Sequence, residues 1–272
     1  MNKLEYSQRG IHLKLSAFDR FAAFALATML SACVTQTTVE TKVPDQAAPS
    51  DVAFKAKLHT ERAGEYYRIG NYGVAIDAAN QALAAVPGYA PAHNMLGIIY
   101  LQLGEDAKAK QSLEKALQLA PNDSEVLNNY GWYVCQRQNP SQAMQYFQAA
   151  LRNPLYNSPE RALHNAGLCA RKAGDMAQAE AQLRAALQRQ PGFAPALLDL
   201  SDLLYGQGRI KEAESQLARH MQIVTSPSAD ALLLGVRLAR ATGDKTSEVG
   251  YVSQLRRRFP DSPQAKSAME TR

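Results

Sequence analysis

The chain has 272 residues, 45 of them alanine, with 46% hydrophobic and 7% aromatic residues, one tryptophan and three cysteines. That is enough apolar material for a sizeable core, and charged residues at 20% with modest Pro and Gly argue against a wholly disordered chain. The excess of Ala over β-branched and aromatic residues argues against an all-β fold and for helices packed on small side chains. Three cysteines are too few for a disulfide scaffold or a four-cysteine zinc site, and a net charge of +5 does not call for a nucleic-acid partner.

Residues 1–20 carry Lys3, Arg9, Lys14 and Arg20 against Glu5 and Asp19, and an apolar run of ten follows from Phe21 to Leu30. A membrane span needs roughly 20 apolar residues, so this run is too short to be one. A basic stretch, a short apolar run and small residues before a cut are the parts of a secretory signal peptide, here residues 1–32. Its ending, Leu30-Ser31-Ala32-Cys33, resembles the lipobox of bacterial lipoproteins. The resemblance implies a diacylated Cys33 as first mature residue, and Val34 in place of the Asp that retains such proteins in the inner membrane implies the outer membrane. A soluble periplasmic protein cut near Ala32 is the alternative. Removing residues 1–32 leaves 26 basic and 23 acidic residues, a charge of +3. Residues 33–55 include Pro44, Pro49 and Ser50, show little periodicity, and read as the lipidated N-terminus and a flexible tether reaching roughly 25 Å.

The sequence from Ala56 repeats itself with a period of about 34 residues. Units beginning at Ala56, Ala90, Ser124, Glu160, Ala194 and Ala229 (56–89, 90–123, 124–159, 160–193, 194–228 and 229–262) fall into register, and 263–272 form a C-terminal tail. Gly70, Gly104, Gly174, Gly208 and Gly243 occupy the fifteenth position, with Gln138 in the third unit. Glycine adopts the left-handed conformation that ends a helix, so this position closes helix A of each unit. Small residues at the eighth position (Ala63, Gly97, Gly131, Gly167, Ser201) and the twentieth (Ala75, Ala109, Ala143, Ala179, Ala213) let helices A and B approach closely. Apolar residues three and four apart, such as Leu96, Tyr100 and Leu103, form the buried stripes, and a proline near each unit's end stops helix B.

The pattern Leu96-Gly97, Tyr100, Ala109, Leu113, Ala116, Pro121 resembles the tetratricopeptide repeat. The resemblance implies an all-α, right-handed solenoid of six helical hairpins, its last unit degraded as a terminal cap often is.

Catalytic signatures are missing. The five histidines form no HExxH pair, and no GxSxG, Walker A or dinucleotide-binding glycine motif is present. His93 sits at a packing position. We therefore expect no enzyme, no cofactor, no metal and no small-molecule substrate. Cys135 and Cys169 fall in the second half of helix A of adjacent units, where an oxidising periplasm would join them in a disulfide; two buried thiols are the alternative.

A solenoid of this kind presents helix A along its concave side, where unit positions 2, 5, 9 and 12 face a partner. Here they include Asn94, Ile98, Leu101, Asn128, Trp132, Arg161, His164, Leu168, Arg171, Leu198, Asp202 and Tyr205. Amides, apolar residues, two arginines and an aromatic anchor suit a peptide or helix. Trp132 is the sharpest of these, with ordinary packing between units as its other reading. Thr60 and Gly64 in the first unit do not supply a carboxylate clamp, and no basic-aromatic stripe suggests nucleic acid.

A lipobox, a tether and six such units resemble the PilF/PilW family of type IV pilus biogenesis lipoproteins. The strings that carry it are Leu127-Asn128-Asn129-Tyr130-Gly131-Trp132, Cys135-Gln136, Ala143-Met144, Asn153-Pro154-Leu155-Tyr156, Pro159-Glu160-Arg161-Ala162-Leu163 and Asn165-Ala166-Gly167-Leu168-Cys169. The resemblance implies a pilotin: an outer-membrane lipoprotein, its repeats in the periplasm, that binds the pilus secretin and promotes its localisation, multimer assembly or stability, and so pilus formation and twitching motility. A periplasmic repeat lipoprotein scaffolding cell-wall complexes is the alternative.

Overall fold

A computed structural model describes residues 49–270; the expected signal peptide, Cys33 and most of the expected tether lie outside the described residues. Helix A and helix B alternate along the chain. They are α1 (Pro49–Arg68) and α2 (Tyr72–Ala85), α3 (Ala90–Gln102) and α4 (Asp106–Leu119), α5 (Ser124–Arg137) and α6 (Pro140–Leu151). Then come α7 (Pro159–Lys172) and α8 (Met176–Arg189), α9 (Ala194–Gly206) and α10 (Ile210–Ile223), α11 (Ala229–Thr242) and α12 (Lys245–Arg258), and last α13 (Pro263–Glu270). No strand occurs among the described residues.

The local reasons for these boundaries repeat from unit to unit. Asp123 Oδ1 accepts from Val126 N at 2.9 Å, Asp175 Oδ1 from Gln178 N at 2.9 Å and Ser228 Oγ from Ala231 N at 3.2 Å, each satisfying an amide that the first helical turn leaves unpaired. Pro91, Pro140, Pro159 and Pro195 stand in first turns, where proline loses no helical hydrogen bond. Gly104, between α3 and α4, has φ +74°, a conformation that any Cβ would strain, and the other four glycines at this position share it. In the third unit Gln138 has φ −129° instead, and Asn139 caps α6.

Close approach within a hairpin explains the small eighth residue. A Cβ on Gly97 would lie 2.4 Å from Leu113 Cγ of α4, so glycine is the side chain that fits. Each helix A packs against its own helix B and against both helices of the unit before it. Successive odd-numbered helices touch one another while the even-numbered ones do not, so the stack of described residues curves with the odd-numbered helices on its inner side. The core follows the same path. One cluster joins units two to four through Leu101, Leu113, Tyr130, Phe147 and Cys169, and another joins units four and five to α11 through Leu183, Leu200, Leu217 and Leu238.

Two boundaries differ from expectation. The helical stack begins at Pro49, inside the segment expected to be tether, because Pro49 opens a helix and Asp51 suits its first turn. The expected tail is helical over Pro263–Glu270, with Ala265 and Ala268 buried. Ser262 caps it, its Oγ accepting from Ala265 N at 3.1 Å.

Candidate functional site

The inner side of the stack is tied together by polar rungs that run from unit to unit. Asn129 Nδ2 donates to Asn94 Oδ1 at 3.2 Å and Asn165 Nδ2 to Asn128 Oδ1 at 3.0 Å, while His164 Nε2 lies 2.6 Å from Asp199 Oδ2. Each rung joins the fifth residue of one unit to the sixth of the next. Asn128 also donates to Asn129 at 3.3 Å, which links the first two rungs. Further ties follow the same course: Arg161 to Glu125 at 3.1 Å and Arg171 to Asp202 at 2.7 Å. Buried amides are costly when unpaired, so these bonds hold the units in one lateral register.

This geometry divides the expected groove residues. Asn94, Asn128 and Leu101 are buried, Asn128 completely, and do not line a surface. The two amides are rungs, and Leu101 belongs to the core of units two to four. Arg161, His164, Arg171 and Asp202 face the inner side as members of inter-unit pairs, and His164 also sets its ring edge-on to Phe193, with centroids 5.5 Å apart. Ile98, Trp132, Leu168, Leu198 and Tyr205 remain as a half-buried apolar strip. Ile98 and Trp132 rest on the core of units two to four, Leu198 and Tyr205 on that of units four and five. Trp132 packs on the core of units two to four, as the packing reading has it, and is half-buried.

Residues that sequence reasoning passed over complete the site. Asn129, Asn165, Asp199 and Glu125 supply the other half of each tie. The connection between α6 and α7 adds Tyr156, whose hydroxyl donates to Glu125 Oε2 at 3.5 Å, and Leu155, which is 83% exposed. Burial pushes the Tyr156 hydroxyl up, and the Glu125 carboxylate adds to it; burial likewise raises Glu125, against the pull of Arg161. The signal was present in the sequence as register. Asn129 and Asn165 occupy the sixth position of successive units, next to the fifth position that was read as lining.

Cys135 and Cys169 are buried and joined in a disulfide between α5 and α7, with Cα atoms 5.8 Å apart. His93 makes a structural contact, its Nε2 3.0 Å from Pro87 O. Among the described residues no group of three or more metal-ligating side chains gathers, and no helix is long and apolar enough to cross a membrane. Chemically, the inner side offers an apolar strip flanked by paired charges, which suits a segment of protein chain.

Tetratricopeptide-repeat models match residues 60–124, 130–192 and 170–234. The type IV pilus assembly protein PilF of Pseudomonas aeruginosa is 30% identical over 201 residues, covering 72% of this chain and 78% of that protein. The crystal structure of PilW, a widely conserved type IV pilus biogenesis factor, superposes with a TM-score of 0.68 at 33% identity over 79% of this chain and 98% of PilW. The structure of Pseudomonas aeruginosa PilF gives 0.67 at 26% identity over 80% and 98%. Repeat architecture, inner-face geometry and these likenesses converge: the chain belongs to the PilF/PilW family of tetratricopeptide-repeat type IV pilus biogenesis proteins.

Proposed function

We propose that the chain is a pilotin, an outer-membrane lipoprotein held by an acylated Cys33 that binds a segment of the pilus secretin on its inner face and promotes the secretin's localisation, multimer assembly or stability. The observation that supports this most is the extent of the likeness, which runs over 98% of the PilW structure and so goes beyond a shared repeat motif. Cys33 lies outside the described residues, and its lipidation rests on the Leu30-Ser31-Ala32-Cys33 sequence.

The mechanism is binding without chemistry. Several acyl chains at one site, each CH2 contributing ~0.8 kcal/mol on burial, hold the protein at the membrane. The tether then keeps the repeats near newly arriving secretin, so that a modest affinity acts at a raised local concentration. Ile98, Trp132, Leu168, Leu198 and Tyr205 are half-buried, and an apolar side of the secretin segment would complete their burial at about 25 cal/mol per Å². The flanking pairs, such as Arg171–Asp202, set the orientation of that segment more than its affinity.

A deletion strain complemented with variants tests the reading. Cys33→Ala is expected to leave the outer-membrane fraction and to lower secretin multimers. Trp132→Ala is expected to stay in that fraction, fold normally and still lower them. Unchanged multimers and normal surface piliation in the uncomplemented deletion strain would sink the proposal. Co-purification of murein hydrolases without secretin would favour a cell-wall scaffold instead.

A further inference from the structure

Helix α13 stands where helix A of a further unit begins. Gln264 Nε2 donates to Asp230 Oδ1, 34 residues earlier, at 2.7 Å, as Arg161 donates to Glu125 between the second positions of units three and four. Ser262 caps Ala265 as Ser228 caps Ala231. Arg240 Nη2 closes the other end by donating to Ala268 O at 2.5 Å. Yet α13 is not covered as α3, α5, α7 and α9 are. Leu96, Tyr130, Ala166 and Leu200 at the seventh position are at most 9% exposed beneath their own B helices, whereas Met269 at the same position is 47% exposed.

A cleft of about 840 Å³ opens along α12 beside the end of α13. Val249, Val252 and Met269 give it an apolar floor, and Val249 is 68% exposed. Arg256 and Arg257 line its edge. The twenty-eighth position of the first five units is apolar (Leu83, Leu117, Leu151, Leu187, Met221) and packs toward the core; in the sixth it is Arg256. The neighbouring cations are already engaged. Arg240 and Lys245 hold Glu248 at 2.7 and 2.9 Å, and Arg258 donates to Ser226 and lies over the Phe259 ring. Arg256 and Arg257 are exposed and make no ion pair among the described residues.

We propose that this cleft is a second docking surface, separate from the inner groove, and that it binds an amphipathic helix of a partner protein whose apolar strip is flanked by carboxylates. The space between two helices takes a helix, as each A helix in the stack takes its B helix. An ordinary apolar helix would bury Arg256 and Arg257 without partners, which is costly, so the occupant brings the anions. A simple polar cap for the last unit would have replaced the apolar floor too, but Val249 and Met269 remain.

The test uses the detergent-solubilised mature chain and two labelled synthetic helices of about five turns, with the same leucine strip and either Glu or Lys beside it. Fluorescence anisotropy should show the Glu helix binding at least about tenfold more tightly than the Lys helix. The double variant R256E/R257E should reverse that order, which also shows that it is folded, and Trp132→Ala should change neither. Equal affinities, no binding, no reversal, or loss through Trp132→Ala would overturn the proposal. So would a photoreactive residue at Ser253 that, in cells, crosslinks only to lipid or to a second copy of the chain.

Discussion

Glu180 shows how one side chain fastens two units on the outer side of the stack. Its carboxylate accepts from Arg184 Nε at 2.8 Å within α8 and from Arg209 Nη1 at 2.7 Å at the start of α10, and both arginines also reach Glu212. Burial pushes the Glu180 carboxyl up, but hydrogen bonds from Arg209 and Arg184 outweigh it and hold it below the ordinary glutamate value of 4.5. A carboxylate depressed in the folded state contributes stability that is present above its unfolded value and lost as pH falls through the folded one. Glu180→Gln is therefore expected to cost about 0.5–1 kcal/mol at neutral pH. The gap to the wild type should close as the pH drops below the ordinary carboxylate range. Thermal unfolding at stepped pH measures this, and a gap that persists in acid would assign the effect to packing.

The third hairpin is where a local rule fails and a covalent bond takes its place. It lacks the turn glycine, yet its helix A is joined to the next by Cys135–Cys169. Closing a loop of 34 residues lowers the entropy of the unfolded chain by an amount worth about 3–4 kcal/mol. Cys135→Ala/Cys169→Ala should lose a stability of that order in denaturant, and the wild type in reductant should lose as much. A loss confined to the variant would point to the cost of the substitutions. The turn glycines, the eighth-position glycines and the prolines were legible in the sequence because each answers a constraint within one hairpin. Pro49 and α13 were not. The register that defined the units left α1 no predecessor to align with, and α13 is too short to show a period. Asn94 and Asn128 were placed on the right helices but assigned to a partner, because their bonds to Asn129 and Asn165 depend on how neighbouring helices slide against one another. Ile98, Trp132 and Leu168 were legible as a row because they stand at the ninth position of three successive units.

Across the whole stack, each hairpin is stabilised by its own helices and its two neighbours, so local opening should follow position and side-chain size. The first unit has one neighbour among the described residues, and its core consists chiefly of Ala56, Ala63, Ala78, Ala79 and Ala82, which bury little area each. In α12 only Leu255 is buried. Units three and four have neighbours on both sides, large side chains such as Phe147 and Tyr133, the asparagine rungs and the disulfide. Hydrogen exchange under native conditions should therefore release the amides of α1 and α2 first, those of α12 and α13 next, and those of α5 and α7 last. Reduction of the disulfide should accelerate exchange in α5 and α7 more than in α9 to α12, because coupling passes between neighbours. Uniform protection from α1 to α13 would mean that the stack opens as one cooperative body and would remove this ordering. The ordering also bears on the proposed function: a groove floor held in the most protected units would be preformed for a binding segment, and would lose less entropy on binding than the loosely held ends.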